Sequence, residues 1–510
     1  MAFIYPKGCC FNSIDEIKGK RITVMGLGLN GGGEATVRFL LKAGAEVLVT
    51  DMKSEAQLKP TLNSIAYDTS LDKSRLTYIL GEHRKEDFRN ADCVIKNPGV
   101  KIQGNPFLAE ARAIETDISL FLQFTKSPII AVTGSKGKSS TVSAIQHGLL
   151  KCGFNSFLGG NITVSPLTFL EQTNESTPVI LELSSWQLAD LRGRGILKPK
   201  IALITKIVPD HQNWYADMGE YIADKRLIYA DQDENDFLIC DADSDEIGTG
   251  PAEGGTWGDL FAREARAKVL RYSQDKLEAA QYGAWLEFDE QKNLCAFARI
   301  PGKPFDTKIL GSVKVPGRHM MQNVMNAALV LYLMGCDAEK IQSVIGEWNG
   351  IPHRLQYFHS WQNPATQKTV RFYNDSCSTV PESAAAASQA FGKPVVFITG
   401  GTDKGLDFSV LADALDSKKS HSTPLDSLYL LAGNGTEILA QLLDERGVPH
   451  KGIFNSLEEL LAAMKADFEK GECNSDTIVF SPGATSFGMF ANEFDRGEKF
   501  MEIASKTFAA

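Results

Sequence analysis

The chain has 510 residues, 43% hydrophobic and 23% charged, with 53 Lys+Arg against 63 Asp+Glu and a formal net charge of −10. That length suits about three domains of ~150 residues with real cores, and the acidic surplus argues against a nucleic-acid or anionic-membrane binder. No apolar run reaches the ~18–20 residues of a membrane span, no signal peptide is expected, and nine cysteines without C-x-x-C spacing point to reduced thiols in a cytoplasm rather than a disulfide frame or a zinc site.

In chain order, the first predicted element is a strand over Arg21–Met25 that runs into glycines. A helix over Ala35–Ala43 and a second strand, Glu46–Thr50, follow, ending at Asp51. Strand, glycine turn, helix, strand is a βαβ unit and so part of a parallel sheet. A second start comes at Pro128, where the buried-strand run Ile129–Val132 leads into another glycine turn and helix. Ser127-Pro128 is the expected boundary, because proline cannot continue a preceding helix. Further strands are expected at Pro178–Leu183 and Ile201–Thr205. Residues 241–312, with glycines near Gly248 to Gly258, read as β-rich or inserted material, and a helical pattern covers about Gln322–Met334. Beyond Asn349-Gly350-Ile351-Pro352, the runs Thr369–Tyr373, Pro394–Thr399, Leu428–Ala432 and Thr477–Phe480 alternate with helical stretches, a doubly wound pattern again. The expected architecture is α/β in three domains, residues 1–127, 128–350 and 351–510.

Gly26-Leu27-Gly28-Leu29-Asn30-Gly31 satisfies G-x-G-x-x-G between a strand and a helix, and Asp51 lies 20 residues past Gly31. Glycines there let the backbone approach a diphosphate on a helix N-terminus, and the acidic residue suits a ribose hydroxyl. Such a site serves a nucleotide sugar as well as NAD, and glycines also permit close strand–helix packing, so the motif alone leaves its ligand open. The second turn, Thr133-Gly134-Ser135-Lys136-Gly137-Lys138-Ser139-Ser140, ends in Gly-Lys-Ser. Its amides can wrap phosphate oxygens, the Lys138 ammonium can reach the terminal phosphates, and Ser139 can hold Mg2+. Val132 stands where the full P-loop spacing has glycine, so this is a shortened variant. Two phosphate cradles suit an ATP-dependent synthetase acting on a nucleotide-linked substrate; a dehydrogenase has no use for the second.

The strings TGSKGKSS (133–140), LELSSWQL (181–188), IVPDHQNWY (207–215) with YIADK (221–225), GRH (317–319) with Asn323, and IPHR (351–354) occur in an order that resembles the Mur ligase family. The GLG turn with Asp51, NPG at 97–99, NDS at 374–376 and SPGATSFGMF at 481–490 resemble the branch that adds glutamate to UDP-N-acetylmuramoyl-L-alanine in peptidoglycan synthesis, over about Ile22 to Phe500. The resemblance implies a Rossmann-like N-terminal domain for the UDP-sugar, a central P-loop-type ATPase and a Rossmann-like C-terminal domain for the amino acid. It also implies a cytoplasmic monomer that works on small molecules, with no nucleic acid and no membrane. ATP would phosphorylate the substrate carboxylate, and the incoming amine would attack the acyl phosphate, with the C-terminal domain closing over ATP.

Residue by residue, the resemblance implies that Lys138, Glu182, His211 and Lys225 carry the chemistry. Ser139 and Glu182 would bind one Mg2+ and His211 a second, supported by a carbamylated Lys225. Gly134, Ser135, Lys136, Gly137, Lys138, Ser139, Ser140, Asn323, Arg354 and Asp375 would attend ATP. Gly26, Leu27, Gly28, Asn30, Asp51, Gly99 and Asn161 would face the UDP-sugar, and Thr379, Lys404, Ser486 and Phe487 the amino acid. The sequence departs from the family's usual pattern at Lys136, Ser140 and Met320, and at Cys377, which stands where a lysine commonly follows NDS. Losing that cation at a dicarboxylate pocket leaves D-glutamate, L-glutamate or another amino acid as acceptors to be separated.

Overall fold

The computed structural model describes residues 4–210, 214–243, 250–251, 254–303, 305–419 and 425–509. The chain divides into two compact units, Met1–Gly311 with Gln322–Ile345, and Ser312–Met321 with Gly346–Ala510. Two sheets lie in the first unit and a third in the second.

The first sheet is all parallel, in the order β3-β2-β1-β4-β5, from β1 (Arg21–Met25), β2 (Glu46–Asp51), β3 (Leu76–Leu80), β4 (Cys93–Lys96) and β5 (Ile114–Glu115). The strand order reverses at β1 and β4, so the turn after β1 opens at the switch point where α/β sheets bind ligands.

The second sheet comprises β6 (Ile129–Thr133), β7 (Phe157–Gly160), β8 (Val179–Glu182), β9 (Ile201–Ile204), β10 (Phe237–Asp241), β11 (Lys268–Ser273), β12 (Gly283–Phe288), β13 (Leu294–Arg299) and β14 (Thr307–Leu310). Their order is β14-β13-β12-β11-β10-β9-β6-β8-β7. Among its described residues, the β-rich stretch expected over 241–312 holds a helix, Trp257–Glu264, then β11 and an antiparallel run, β12 to β14, that extends the parallel sheet at one edge. Strand β6 lies between β8 and β9, with every residue buried on both faces. That is why it reads as an unbroken apolar run. One apolar cluster passes through both sheets of this unit, including Ile22, Val24, Val49, Ile118, Phe121, Ala131, Leu181 and Ile204.

The third sheet is β15 (Gln356–Gln362), β16 (Thr369–Asn374), β17 (Val396–Thr399), β18 (Ser427–Leu431), β19 (Lys451–Phe454) and β20 (Thr477–Phe480), in the order β15-β16-β20-β17-β18-β19. It departs from a purely doubly wound pattern at β15, an edge strand antiparallel to β16. Alternation along β17 and β20 sorts side chains between two cores: Ile398, Ile478 and Phe480 pack in one, Phe397 and Val479 in the other. Among the described residues no helix is long and apolar enough to cross a membrane.

Candidate active site

Strand β6 delivers the chain into the turn 134–137, and the helix Lys138–Lys151 carries it away. Gly134 has φ +141°, and a Cβ there would lie 2.0 Å from Thr205 Oγ1; Gly137 has φ +91°, and its Cβ would lie 2.3 Å from Asn323 Oδ1. Both positions therefore require glycine, and the second shows Asn323, on the helix Arg318–Leu333, pressed against the loop. The loop is tied down by Ser135 N–H and Lys136 N–H donating to Lys206 O (3.0 and 3.2 Å), and by Ser135 Oγ donating to Val208 O (2.8 Å).

Two lysines converge on this turn. Lys138 Nζ donates to Gly134 O (2.8 Å) and Ser135 O (3.0 Å), and Lys225 Nζ, at the end of the helix Met218–Lys225, donates to Gly134 O (2.8 Å). Lys225 is 1% exposed. Burial, reinforced by the Lys138 charge, holds its ammonium well below the usual lysine range, with Asp210, Asp224 and Glu182 opposing. Burial lowers Lys138 as well, against the Glu182 carboxylate. The Tyr221 ring lies 4.4 Å beneath Lys225 Nζ, and its hydroxyl hydrogen-bonds Ser135 Oγ (3.0 Å). Tyr221 opens the string YIADK but was not among the expected site residues; its place one helical turn before Lys225 is the signal for it.

Glu182 ends β8, 2% exposed. Its Oε1 accepts from Asn161 Nδ2 (3.2 Å), while Oε2 is buried without a hydrogen-bond partner among the described residues. An anionic oxygen left so is costly unless a cation meets it. Ser139, in the first turn of the Lys138–Lys151 helix, carries a hard-oxygen donor of the kind that Mg2+ prefers, as Glu182 does. His211 lies outside the described residues. Lys136 is exposed, while Ser139 and Ser140 are half-buried.

In the first sheet's turn Gly26, Gly28 and Gly31 all have positive φ (93°, 62° and 82°), and a Cβ on Gly33 would lie 2.3 Å from Leu27 O. The Leu27 side chain is buried in the core, so its backbone is what it can offer a ligand, while Asn30 is exposed. Asp51 is 5% exposed, and both its oxygens take backbone donors, Gly28 N (3.0 Å) and Lys53 N (2.9 Å). The carboxylate expected at a ribose thus also braces the glycine turn. Gly99 N donates to Asn97 Oδ1 (3.1 Å) in the turn after β4, whose last residue, Lys96, forms a buried ion pair with Asp190 (2.7 Å). Burial pushes Asp190 up to about 6 against that ammonium. Beside this turn a cavity of about 280 Å³ is walled by Trp186 and Trp214, with ring centroids 4.6 Å apart.

In the second unit, the turn after β16 is built around Asp375. Its Oδ1 accepts from Leu355 N (3.0 Å) and Oδ2 from Ser481 Oγ (2.6 Å). Burial raises the carboxyl to about 7, against the Ser481 hydrogen bond. His353 and Leu355 adopt positive φ (60° and 41°), a strained turn that places the exposed Arg354 beside Asp375. Cys377 N donates to His353 O (3.0 Å), and the thiol, half-buried, is pushed up by burial. Thr402 and Thr485 exchange backbone hydrogen bonds at 3.0 Å, joining the loop of the exposed Lys404 to that of the buried Ser486 and exposed Phe487. Thr379 is half-buried in the turn that follows β16.

Arg496, 1% exposed, knits these loops together. It donates from Nε to Ser376 Oγ (3.0 Å), from Nη2 to Ser376 O (2.8 Å) and from Nη1 to Ala484 O (3.0 Å). Burial lowers it to about 10. It was not among the expected site residues. The signal was a cation in the first turns of the helix Glu493–Thr507, where the macrodipole disfavours one.

The Mur ligase middle domain family matches residues 132–331, and the family of MurD-like N-terminal domains of Mur ligases matches residues 20–119. The UDP-N-acetylmuramoylalanine–D-glutamate ligase of Treponema pallidum (strain Nichols) is 39% identical, with 95% of this chain and 97% of that one covered. Among solved structures, the UDP-N-acetylmuramate–alanine ligase MurC of Thermotoga maritima is 18% identical and superposes with a TM-score of 0.53, covering 96% of this chain and 100% of that one. The MurF ligase of Thermotoga maritima in complex with ADP is 14% identical, with a TM-score of 0.50 and 99% and 98% of the two chains covered. The two superpositions speak to the fold alone.

Proposed function

Because the chain belongs to the Mur ligase family and adds D-glutamate to UDP-N-acetylmuramoylalanine in peptidoglycan synthesis, we propose that the loop Gly134–Ser140 receives ATP and drives the addition through an acyl phosphate. The observation that carries this reading is the convergence of Lys138 and Lys225 on the Gly134 carbonyl, with the unpartnered Glu182 oxygen within their electrostatic reach. In the turn the half-buried Lys138 ammonium meets, among the described residues, only the neutral carbonyl oxygens of Gly134 and Ser135 as hydrogen-bond acceptors, and a triphosphate supplies the anionic ones it favours.

The terminal carboxylate oxygen of the UDP-sugar substrate attacks the γ-phosphorus, and ADP leaves. The amine of D-glutamate, having lost its proton, then attacks the acyl carbon, and phosphate departs carrying the oxygen that joined carbon to phosphorus. Lys138 holds the phosphoryl group in transit, and the loop amides orient the remaining phosphates. Ser139 and Glu182 would hold one Mg2+, and His211 with Lys225 a second; bound there, the ions supply neutralisation of the charge that builds between two anions. Its lowered affinity for a proton gives Lys225 the neutral amine that CO2 needs to form a carbamate, with release of one proton.

The Gly26–Gly31 turn, with Asn30, Asp51, Gly99 and Asn161, is assigned to the UDP-sugar, Asn323, Arg354 and Asp375 to the nucleotide, and Thr379, Lys404, Ser486 and Phe487 to D-glutamate. The corresponding domains are 1–127, 128–350 and 351–510. With Cys377 in the lysine position, Lys404 supplies the exposed cation of the acceptor group, backed by the loop architecture that Arg496 holds. Purified protein should release ADP when given UDP-N-acetylmuramoyl-L-alanine and D-glutamate together. Replacing D-glutamate with L-glutamate, meso-diaminopimelate or L-lysine should abolish release. Turnover indifferent to the amino acid would overturn the assignment.

A further inference from the structure

Three thiols, two adjacent in sequence and the third 83 residues on from Cys10, meet at one place that the ligase reaction does not use. The N-terminal segment is pinned by Tyr5 N–H to Arg192 O (3.0 Å) and Gly8 N–H to Arg194 O (2.7 Å), which carries Cys9 and Cys10 to the edge of the first sheet. There Cys10 Sγ lies 3.4 Å from Cys93 Sγ, on the first residue of β4. The ligand atoms of Cys9, Cys10 and Glu115 lie within 4.8 Å of one another. The cluster opens on a cavity of about 320 Å³ lined by Cys9, Cys10, Arg112, Glu115 and Arg194, which gives an ion a way in. All nine cysteines are free.

We propose that Cys9, Cys10 and Glu115, with Cys93 behind Cys10, form a binding site for a thiophilic divalent cation of the Zn2+ type. Sulfur donors with one carboxylate are a ligand set suited to a tetrahedral d10 ion and poorly suited to Mg2+. The charges are balanced. Glu115 already pairs with Arg194 (2.9 Å, both side chains 2% exposed), so two thiolates are what a divalent ion needs for neutrality. The carboxylate is held in place by Cys10 N–H (2.9 Å) and Ser119 Oγ (2.5 Å), the outer support that ligand groups in metal sites characteristically have. Without metal the thiols stay protonated: the Cys10 hydrogen bond and burial push Cys9 up, the Cys93 hydrogen bond and burial push Cys10 up against its contact with Cys9, and burial pushes Cys93 up against its hydrogen bond with Cys10. Binding must therefore expel protons. An ion here would staple the N-terminal segment to β5, the edge strand that pairs with β4.

The test is Co2+ titration of the reduced full-length protein, watching for the thiolate-to-cobalt charge-transfer band. Oxygen ligation at Glu182 and Ser139 cannot produce that band. One equivalent should give it, with about two protons released, and Zn2+ should displace the Co2+. Cys9→Ser and Cys10→Ser should each weaken binding by at least about tenfold, while Cys473→Ser, in the second unit, leaves it unchanged. A wild-type protein that gives no band overturns the proposal. So does a band that survives the Cys9→Ser/Cys10→Ser double variant, or a Cys10–Cys93 disulfide forming on air exposure in protein that shows no Co2+ band when reduced.

Discussion

Replacing Asp375 with asparagine isolates one buried charge and turns it into a measurable pH dependence. Burial raises this carboxyl from 3.8 to about 7. Between those values the folded protein keeps a proton that the unfolded chain releases, so stability falls as pH rises and levels off above about 7. From about pH 5 to about pH 8 the loss is about 3 kcal/mol. Asparagine Oδ1 accepts from Leu355 N, and its Nδ2 can donate to Ser481 Oγ, reversing the bond that the carboxylate accepts, yet it does not ionise. The quantity to measure is the difference in unfolding free energy between wild type and Asp375→Asn, by urea titration at a series of pH values. It should shift in the variant's favour by about 3 kcal/mol across that range. A difference that stays flat with pH would refute the assignment of a buried, late-ionising carboxyl at this turn.

Gly137→Ala forces a side chain into φ +91° and 2.3 Å from Asn323 Oδ1; a loss of about 1–2 kcal/mol and, from a misplaced phosphate loop, about 100-fold in kcat/KM are expected from denaturation and ADP-release kinetics. Arg496→Met strands Ser376 and Ala484 oxygens, costing on the order of 3 kcal/mol, and should raise KM for D-glutamate while leaving KM for the UDP-substrate near its wild-type value. Glu182→Gln keeps the shape of the β8 terminus but removes the anionic oxygen, so the Mg2+ concentration needed for half-maximal ADP release should rise at least about tenfold, with little change in thermal stability.

What the sequence disclosed follows from burial. Strands β6, β8, β9, β17 and β20, hidden on both faces, present unbroken apolar runs, and each was expected where it lies. Strands β7, β15 and β19 were not expected, their burial being partial and their alternation weak, and neither were β4 and β10, which are buried but short and end on the charged Lys96 and Asp241. The two glycine turns were legible because φ beyond +60° at Gly28, Gly31 and Gly137 leaves glycine as the residue of choice. Contacts between distant segments were not legible. Nothing local announces that Arg496 reaches back 120 residues to Ser376, or that Cys10 meets Cys93. Of the scattered cysteines, Cys9, Cys10 and Cys93 are brought together by the path of the N-terminal segment in the first unit.

The central claim, that the substrate carboxylate is phosphorylated before D-glutamate attacks, is tested most directly by isotope transfer. UDP-N-acetylmuramoyl-L-alanine labelled with heavy oxygen in its terminal carboxylate should yield inorganic phosphate carrying one labelled oxygen per turnover. Phosphate free of label, with all of the heavy oxygen retained in the amide product or released to water, would contradict it.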